Sequence, residues 1–513
     1  MRIWAWVWVC AWAGTASAQL APGEPDNLFK LTRHLPAAGG MILTNPTDLE
    51  TLPDGRQVIL QRNGDVLVRK VDGSLVAAGH IAVLPCHAEE QGLLGIAMDP
   101  GFPTNHALFM FASTGPTENC TNLCGAGVCC LDDTNKGNCQ NPRKDQVLRV
   151  TLGDDNTLGT PTVFAAGLWA PRNHNGGGLG VYNDQLYVSV GEGGYILNDP
   201  NPPGASGVGN PPQNNFAQCL NVPNGKILRL NLDGSVPADN PLVGVASVTA
   251  CADRGAPFAT AAPDTRIWAW GVRNSFRIHI DPRTGFVWGG DTGDFLFEEI
   301  NVYQKGHDYG WPYYEGTHYW GPSGGQNPID GSGMHSIYAW KWPGHTNCTD
   351  ESPSTACTPP AYAYDHGTMG AAVIGGVIPD HPSWPEIYRS RYFFGDYVQS
   401  TIYMLDLNAA RDGVDSASRK TFAQFTGQNF GMSGMKLGLD GVVYVIRHDA
   451  NDILALQPKN PLAPPDMLGG DGGTTTPKSS GGCGCQLGGD VSRNMLLWLP
   501  LVLLVVLRRR SAL

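Results

Sequence analysis

The 513-residue sequence predicts an all-β fold, a six-bladed β-propeller interrupted by long disulfide-tied loop insertions. Three observations lead there. Short apolar or alternating runs recur in groups of two or three, separated by Gly, Asp or Asn turns. The groups repeat at intervals of tens of residues, as radial arrays do. The chain is also rich in Gly (66), Pro (39) and Trp (14), a composition suited to short strands and tight turns. Two unrelated β-sandwiches would fit the composition but not the recurring Asp/Asn-Gly strand pairs.

Residues Gln19 to Leu35 read as a lead-in. The first unit pairs Gln57 to Leu60 with Asp65 to Val71 around the Asn63-Gly64 turn. The second has Leu93 to Met98, Ala107 to Ala112 and Gln146 to Leu152. The third has Leu179 to Val181, Gln185 to Val190 and Lys226 to Leu232. The fourth has Phe276 to Ile280, Phe286 to Gly289 and Glu299 to Tyr303. The fifth has Val373 to Pro379, Arg391 to Gly395 and Thr401 to Leu407. The sixth has Met435 to Leu439, Val442 to Ile446 and Asp452 to Leu456. Insertions at Gly115 to Asp145, Asn198 to Asn221 and Thr317 to Tyr362 are long enough to be functional or cross-linked.

The two ends differ from this body. Residues 1–18 read as a secretory signal: Arg2, an apolar run from Ile3 to Ala13, and Ala16-Ser17-Ala18 before Gln19. The propeller then covers residues 19–457. Residues 458–490 are a flexible Pro/Gly/Thr/Ser linker holding Cys483-Gly484-Cys485. Residues 491–513 carry an apolar run, Met495 to Leu507, broken by Pro500, and then Arg508-Arg509-Arg510. That run is near the lower limit for a membrane span. The tail resembles the myxobacterial C-terminal sorting signal, which implies processing near Cys483 or Cys485 and display on the cell surface. A permanent anchor is the alternative. Any membrane contact would come through this tail.

Ten cysteines lie in the body between Cys86 and Cys357, an even number that suggests up to five disulfides in an exported chain, with pairing unreadable from sequence. The dense run Cys120 to Cys139 lacks a matching His pair, so a stapled loop suits it better than a zinc knuckle. A net charge of -12 argues against nucleic acid as a partner, because phosphate binding needs an excess of Lys and Arg. No P-loop, dinucleotide fingerprint or nucleophile elbow is present.

Chemistry concentrates between Gly271 and Gly316. That stretch holds Arg273-Asn274, a Gly-rich turn with Asp291, Gly293 and Asp294, the Glu298-Glu299 pair, and Tyr309-Gly310-Trp311-Pro312. Acid-rich turns between strands suit calcium, which wants several oxygen ligands. Upstream lie Glu90-Gln91-Gly92-Leu93-Leu94-Gly95, then Arg172-Asn173-His174-Asn175-Gly176-Gly177-Gly178, then Gly191-Glu192-Gly193 after a strand. On spacing alone a lone His such as His174 is more often a structural or solvated loop histidine; Arg273 as a bridge between blades and Glu298-Glu299 as solvated surface charges are the other plain readings. His87, His279, His307, His366 and His448 read as structural or surface groups.

These motifs resemble the glucose/sorbosone dehydrogenase family, the soluble quinoprotein sugar dehydrogenases, over roughly Leu43 to Leu456. The resemblance implies oxidation of an aldose at its anomeric hydroxyl to a lactone, with pyrroloquinoline quinone (PQQ) and calcium, and an external electron acceptor. It implies His174 as general base, a task suited to an imidazole, with Glu192 as its acidic partner and Arg273 as the cation at the cofactor or hydride site. Glu90, Arg273, Asn274 and Gly293 would face the cofactor. Gly293 and Asp294 would seat calcium against it, with Glu299 and Tyr309 at a second calcium position. The sequence departs from the family in blades five and six. The fifth-blade segment Phe394 to Ser400 holds no Lys, and the sixth-blade segment Asn429 to Lys436 no Arg, where relatives bring these cations to the cofactor. Lys436 is the candidate substitute. The departures resemble the hedgehog-interacting-protein-like ectodomains, so a silent surface propeller binding a glycan or protein is the competing expectation.

Overall fold

The structure is a computed structural model. It describes residues 17–37, 40–83, 90–115, 144–170, 173–193, 215–248, 250, 260–294, 296–312, 314–316, 318–319, 357–367, 370–426 and 431–461. The secretory signal up to residue 16, most of the three insertions, and the linker and tail beyond residue 461 lie outside the described residues.

Among the described residues six antiparallel sheets of four or five strands follow one another along the chain, beside a two-stranded ribbon of Tyr314–Glu315 and His318–Tyr319. Blade one comprises Pro46–Thr51, Gln57–Gln61, Asp65–Arg69 and Leu75–His80. Blade two comprises Leu93–Met98, Ala107–Thr114, Lys144–Thr151 and Thr162–Trp169, and blade three Leu179–Tyr182, Gln185–Val190, Lys226–Asn231 and Ile267–Trp270. Blade four comprises Ser275–Ile280, Val287–Asp291, Phe297–Tyr303 and Tyr362–Asp365, and blade five Val373–Val377, Arg391–Asp396, Thr401–Leu407 and Val414–Thr426. Blade six comprises Met432–Leu437, Val443–Arg447 and Asp452–Pro458.

The first strands of the blades touch in the order one to six, and the sixth touches the first again, so the array closes into a ring. The core is divided accordingly. One apolar cluster fills each gap between neighbouring blades, from Val58, Ile96 and Met110 between one and two to Leu49, Ile59 and Tyr444 between six and one. A blade buried on both faces needs apolar residues at successive positions, not alternate ones. This is why Gln57–Gln61 is buried at every position.

The lead-in expectation is corrected. Phe29–Leu35 pairs antiparallel with Asp452–Pro458 and supplies the outer strand of blade six. Ser17–Leu20 pairs with Val414–Thr426 at the edge of blade five. The N-terminal segment thereby ties the last blade to the first, and covers edges that would otherwise be open to pairing. The described helices are single turns. Among the described residues no helix is long and apolar enough to cross a membrane. Cys219 and Cys357, the two described cysteines, are each disulfide-bonded.

Candidate active site

Each first strand begins, and each second strand ends, at the same end of the ring. Side chains at those positions from all six blades surround an axial pit of about 420 Å³. Thr47 and Arg62 come from blade one, Glu90 and Leu94 from blade two, and Asn173 and His174 from blade three. Asn274, Phe276 and Thr292 come from blade four, Val373, Ile374 and Tyr397 from blade five, and Met432, Ser433, His448 and Asp449 from blade six. Below it the channel is plugged. Arg277 reaches across the axis and donates to the carbonyls of Thr47 at 2.7 Å and Leu94 at 2.9 Å.

His174 is set by its backbone as much as by its side chain. It takes a left-handed conformation, φ 54°, unusual for a residue with a Cβ. Its N–H donates to Glu90 Oε2 at 2.9 Å. The ring Nδ1 lies 2.5 Å from Glu192 Oε1, and Glu192 is 1% exposed. A carboxylate only accepts, so Nδ1 carries the proton and Nε2 is the basic nitrogen. Burial, reinforced by Arg273 and opposed by Glu90 and Asp294, lowers the imidazole pKa to about 3. The ring is therefore neutral at physiological pH, with Nε2 unprotonated.

The sheet geometry also brings Arg273 and Asn274 here. The carboxylate of Asp291 accepts from the N–H of Arg273 at 3.0 Å and of Asn274 at 2.6 Å, clamping the start of blade four. Asn274 Nδ2 donates to Glu90 Oε2 at 3.0 Å, while its Oδ1 accepts from Gly176 N–H at 3.1 Å. Glu192 N–H donates to the Arg273 carbonyl at 2.8 Å. His174, Glu192, Glu90, Asn274 and Arg273 thus form one bonded group across three blades. The Arg273 guanidinium lies behind the wall, 2.9 Å from both the Thr292 carbonyl and Asp294 Oδ1, with Trp311 against it. Asp145, buried under this group and bonded to Ser113 and Asn175, has its pKa raised to about 7 by burial.

Other sequence candidates are placed elsewhere. Lys436 does not reach the pit: it lies farther along its strand, with Nζ 3.0 Å from Glu50 Oε2 and 3.0 Å from the Ile96 carbonyl. It stabilises the channel wall and does not substitute for the missing cations. The proposed calcium ligands have other commitments. Asp294 pairs with Arg273. Glu299 accepts from Gly316 N–H at 2.6 Å and Asn301 Nδ2 at 2.9 Å. The Tyr309 hydroxyl donates to the Val302 carbonyl at 2.5 Å. Gly293 is packed so tightly that a Cβ would meet the Phe297 carbonyl at 1.8 Å. Among the described residues no three His, Cys, Asp or Glu side chains assemble as a metal-holding group. The side chains expected to bind calcium are thus held by protein partners in this structure.

Several pit residues escaped the sequence reading. His448, expected to be structural or at the surface, lines the pit, with Nδ1 2.8 Å from Asp449 Oδ1. Asp449 Oδ2 accepts from the Tyr397 hydroxyl at 2.7 Å. Arg62 is the one Lys or Arg among the described residues lining the pit. A positional signal existed. Arg62, Thr292, Tyr397 and His448 each directly follow the second strand of their blade.

Comparison with known proteins places this geometry. A family model described as Glucose / Sorbosone dehydrogenase matches residues 43–345. The chain is 29% identical over 320 residues to the uncharacterized protein slr1608 of Synechocystis, covering 58% of this chain and 65% of that protein. It is 23% identical over 427 residues to the aldose sugar dehydrogenase YliI of Escherichia coli, covering 82% of this chain and 91% of that protein. The PQQ-bound aldose sugar dehydrogenase structure from Streptomyces coelicolor superposes with a TM-score of 0.53 at 17% identity, over 84% of this chain and 98% of that one. At that identity the likeness is one of fold.

Proposed function

Because the chain belongs to the glucose/sorbosone dehydrogenase family, we propose that it is a quinone-dependent dehydrogenase that oxidises the anomeric hydroxyl of an aldose to a lactone. The observation that carries this reading is the neutral His174 in the pit, held by buried Glu192 at 2.5 Å beside Asn274. The pit suits PQQ. Phe276, Val373, Ile374 and Met432 supply apolar walls for a flat ring system, while Arg62 and Asn274 supply donors for its carboxylates and carbonyls.

In the proposed reaction the anomeric hydroxyl donates to His174 Nε2. His174 removes that proton as the carbon–hydrogen bond of the same carbon breaks. Bound quinone supplies the two-electron acceptor for the departing hydride. Glu192 holds the imidazole in the required tautomer and stabilises the imidazolium that forms. Glu90 fixes the His174 backbone and the Asn274 side chain together, so both face the same substrate atoms. An external acceptor then removes the electrons. Steady-state dye reduction by quinone-loaded protein with an aldose tests this, with and without added calcium. Wild type should turn over and His174→Ala should not.

A second reading rests on blades five and six, whose pit residues Tyr397, Met432, Ser433, His448 and Asp449 include no Lys or Arg. A propeller that holds a glycan or protein without quinone would show binding but no dye reduction. Export through residues 1–18 and surface display through the tail complete the proposal. Cell fractionation with an antibody to the propeller tests that part.

A further inference from the structure

Besides the pit, a cavity of about 470 Å³ opens between the outer strands of blades four and five. Phe297 begins the third strand of blade four and Gln399 lies in the turn after the second strand of blade five, so this cavity is at the pit's end of the ring. One turn separates the two spaces: Tyr397 lines the pit and Gln399 lines the outer cavity. Gln399 Nε2 donates to the Gly370 carbonyl at 3.2 Å, and its Oε1 accepts from the Tyr403 hydroxyl at 2.6 Å, which holds that turn in place.

Both spaces present aromatic surface. Tyr397 is 41% exposed, and Val398 beside it 46%. Its hydroxyl is fixed by Asp449 at 2.7 Å, so the ring is a held platform rather than a free side chain. In the outer cavity the Arg419 guanidinium lies against Tyr362, Tyr364 and Tyr403 at 6.0, 5.6 and 5.2 Å. Arg419 makes no ion pair among the described residues, and exposed Asp365 lines the same cavity. His366 on its wall is paired with Glu298 at 2.6 Å. The cavity therefore offers hydrogen-bond donors and acceptors around aromatic faces without a large net charge. Flat apolar faces ringed by hydroxyl partners match the carbon–hydrogen face and the equatorial hydroxyls of a neutral pyranose.

We propose that pit, Tyr397 platform and outer cavity form one track for a neutral oligosaccharide, with the terminal sugar in the pit and following units running outward between blades four and five. The substrate class is then the reducing end of a glycan chain, not a free monosaccharide. At about 420 Å³ the pit is near the lower end for ligand sites, so further sugar units must lie outside it. The location of the reacting sugar rests on the dehydrogenase reading; the track itself does not.

The test is calorimetric titration of the cofactor-free protein with cello- and malto-oligosaccharides, from monosaccharide to pentasaccharide, alongside dye-reduction kinetics of the quinone-loaded protein. Each stacked ring should raise affinity by up to about tenfold, so one series should bind more tightly with length. Tyr397→Ala should flatten the first increment and Tyr362→Ala only the later ones, while Tyr397→Phe keeps the ring and should keep part of the gain. Melting curves identify any variant that fails to fold, in which case Tyr397→Phe and Tyr362→Ala decide. Affinity independent of length in both series, or a length dependence that Tyr397→Ala and Tyr362→Ala leave intact, overturns the track. Length-dependent binding without quinone-dependent turnover would leave the track standing and remove the dehydrogenase reading.

Discussion

Replacing Glu192 by Gln tests how the buried dyad works. The side chain keeps its size and an oxygen that can accept from His174 Nδ1–H, so the 2.5 Å contact can survive in shape. What disappears is the charge. A hydrogen bond to a charged group contributes about 1.5–3 kcal/mol, against about 0.5–1.5 kcal/mol for a neutral one. The difference, about 1–1.5 kcal/mol, is felt when the imidazole becomes an imidazolium, and lowers kcat/KM about tenfold. Should the amide nitrogen turn toward Nδ1 instead, the ring is forced into the other tautomer, and the loss approaches the roughly 10⁴-fold of a mis-set triad. The assay is aldose-dependent dye reduction by quinone-loaded protein, with quinone affinity and melting temperature measured in parallel. The loss should appear in kcat, with quinone affinity near wild type, because Glu192 does not line the pit. Activity within about twofold of wild type in a folded, quinone-loaded variant would refute the reasoning, since RT ln 2 is only about 0.4 kcal/mol.

Three further outcomes follow from the same geometry. Arg62→Ala removes the one described Lys or Arg at the pit and should weaken quinone binding roughly 10- to 100-fold, the worth of one charge-assisted contact, measured by fluorescence quenching. Gly176 has φ +72°, and a Cβ there would meet the Ser189 carbonyl at 2.6 Å and Gly191 N at 2.8 Å, so Gly176→Ala should cost about 1–3 kcal/mol in denaturant unfolding and displace His174. The acid limb of kcat/KM should fall well below 6.5, because burial moves the His174 pKa down to about 3. The sign for stability agrees: between 6.5 and about 3 the unfolded chain takes up a proton that the folded one refuses, so this group's contribution is lost as pH falls through that window, and His174→Asn should reduce that loss in melting curves.

The ring of blades was legible because each blade is a local strand–turn–strand unit whose turns carry their own chemistry. The strands at blade edges were not. Leu75–His80 and Thr162–Trp169 include several exposed positions, so their apolar signal is weak. Phe29–Leu35 finds its partner more than four hundred residues away, at Asp452–Pro458, and no local pattern announces that pairing. His174, Glu192, Glu90 and Asn274 were legible from motif and placement. The blade-six side of the pit was not, because His448 and Asp449 sit in an ordinary turn and become site residues only through closure of the ring. Lys436 misled because a positive charge near the right blade says nothing about depth: four positions along from Met432, its side chain meets Glu50 in the channel wall instead of the pit.

The most direct measurement is a single turnover. Protein loaded with stoichiometric quinone is mixed anaerobically with an aldose, and the quinone absorbance is followed in stopped flow. The account predicts that the oxidised quinone band disappears in wild type and persists in His174→Ala loaded to the same extent. Equal rates in the two proteins, or a wild type that binds no quinone, would contradict it.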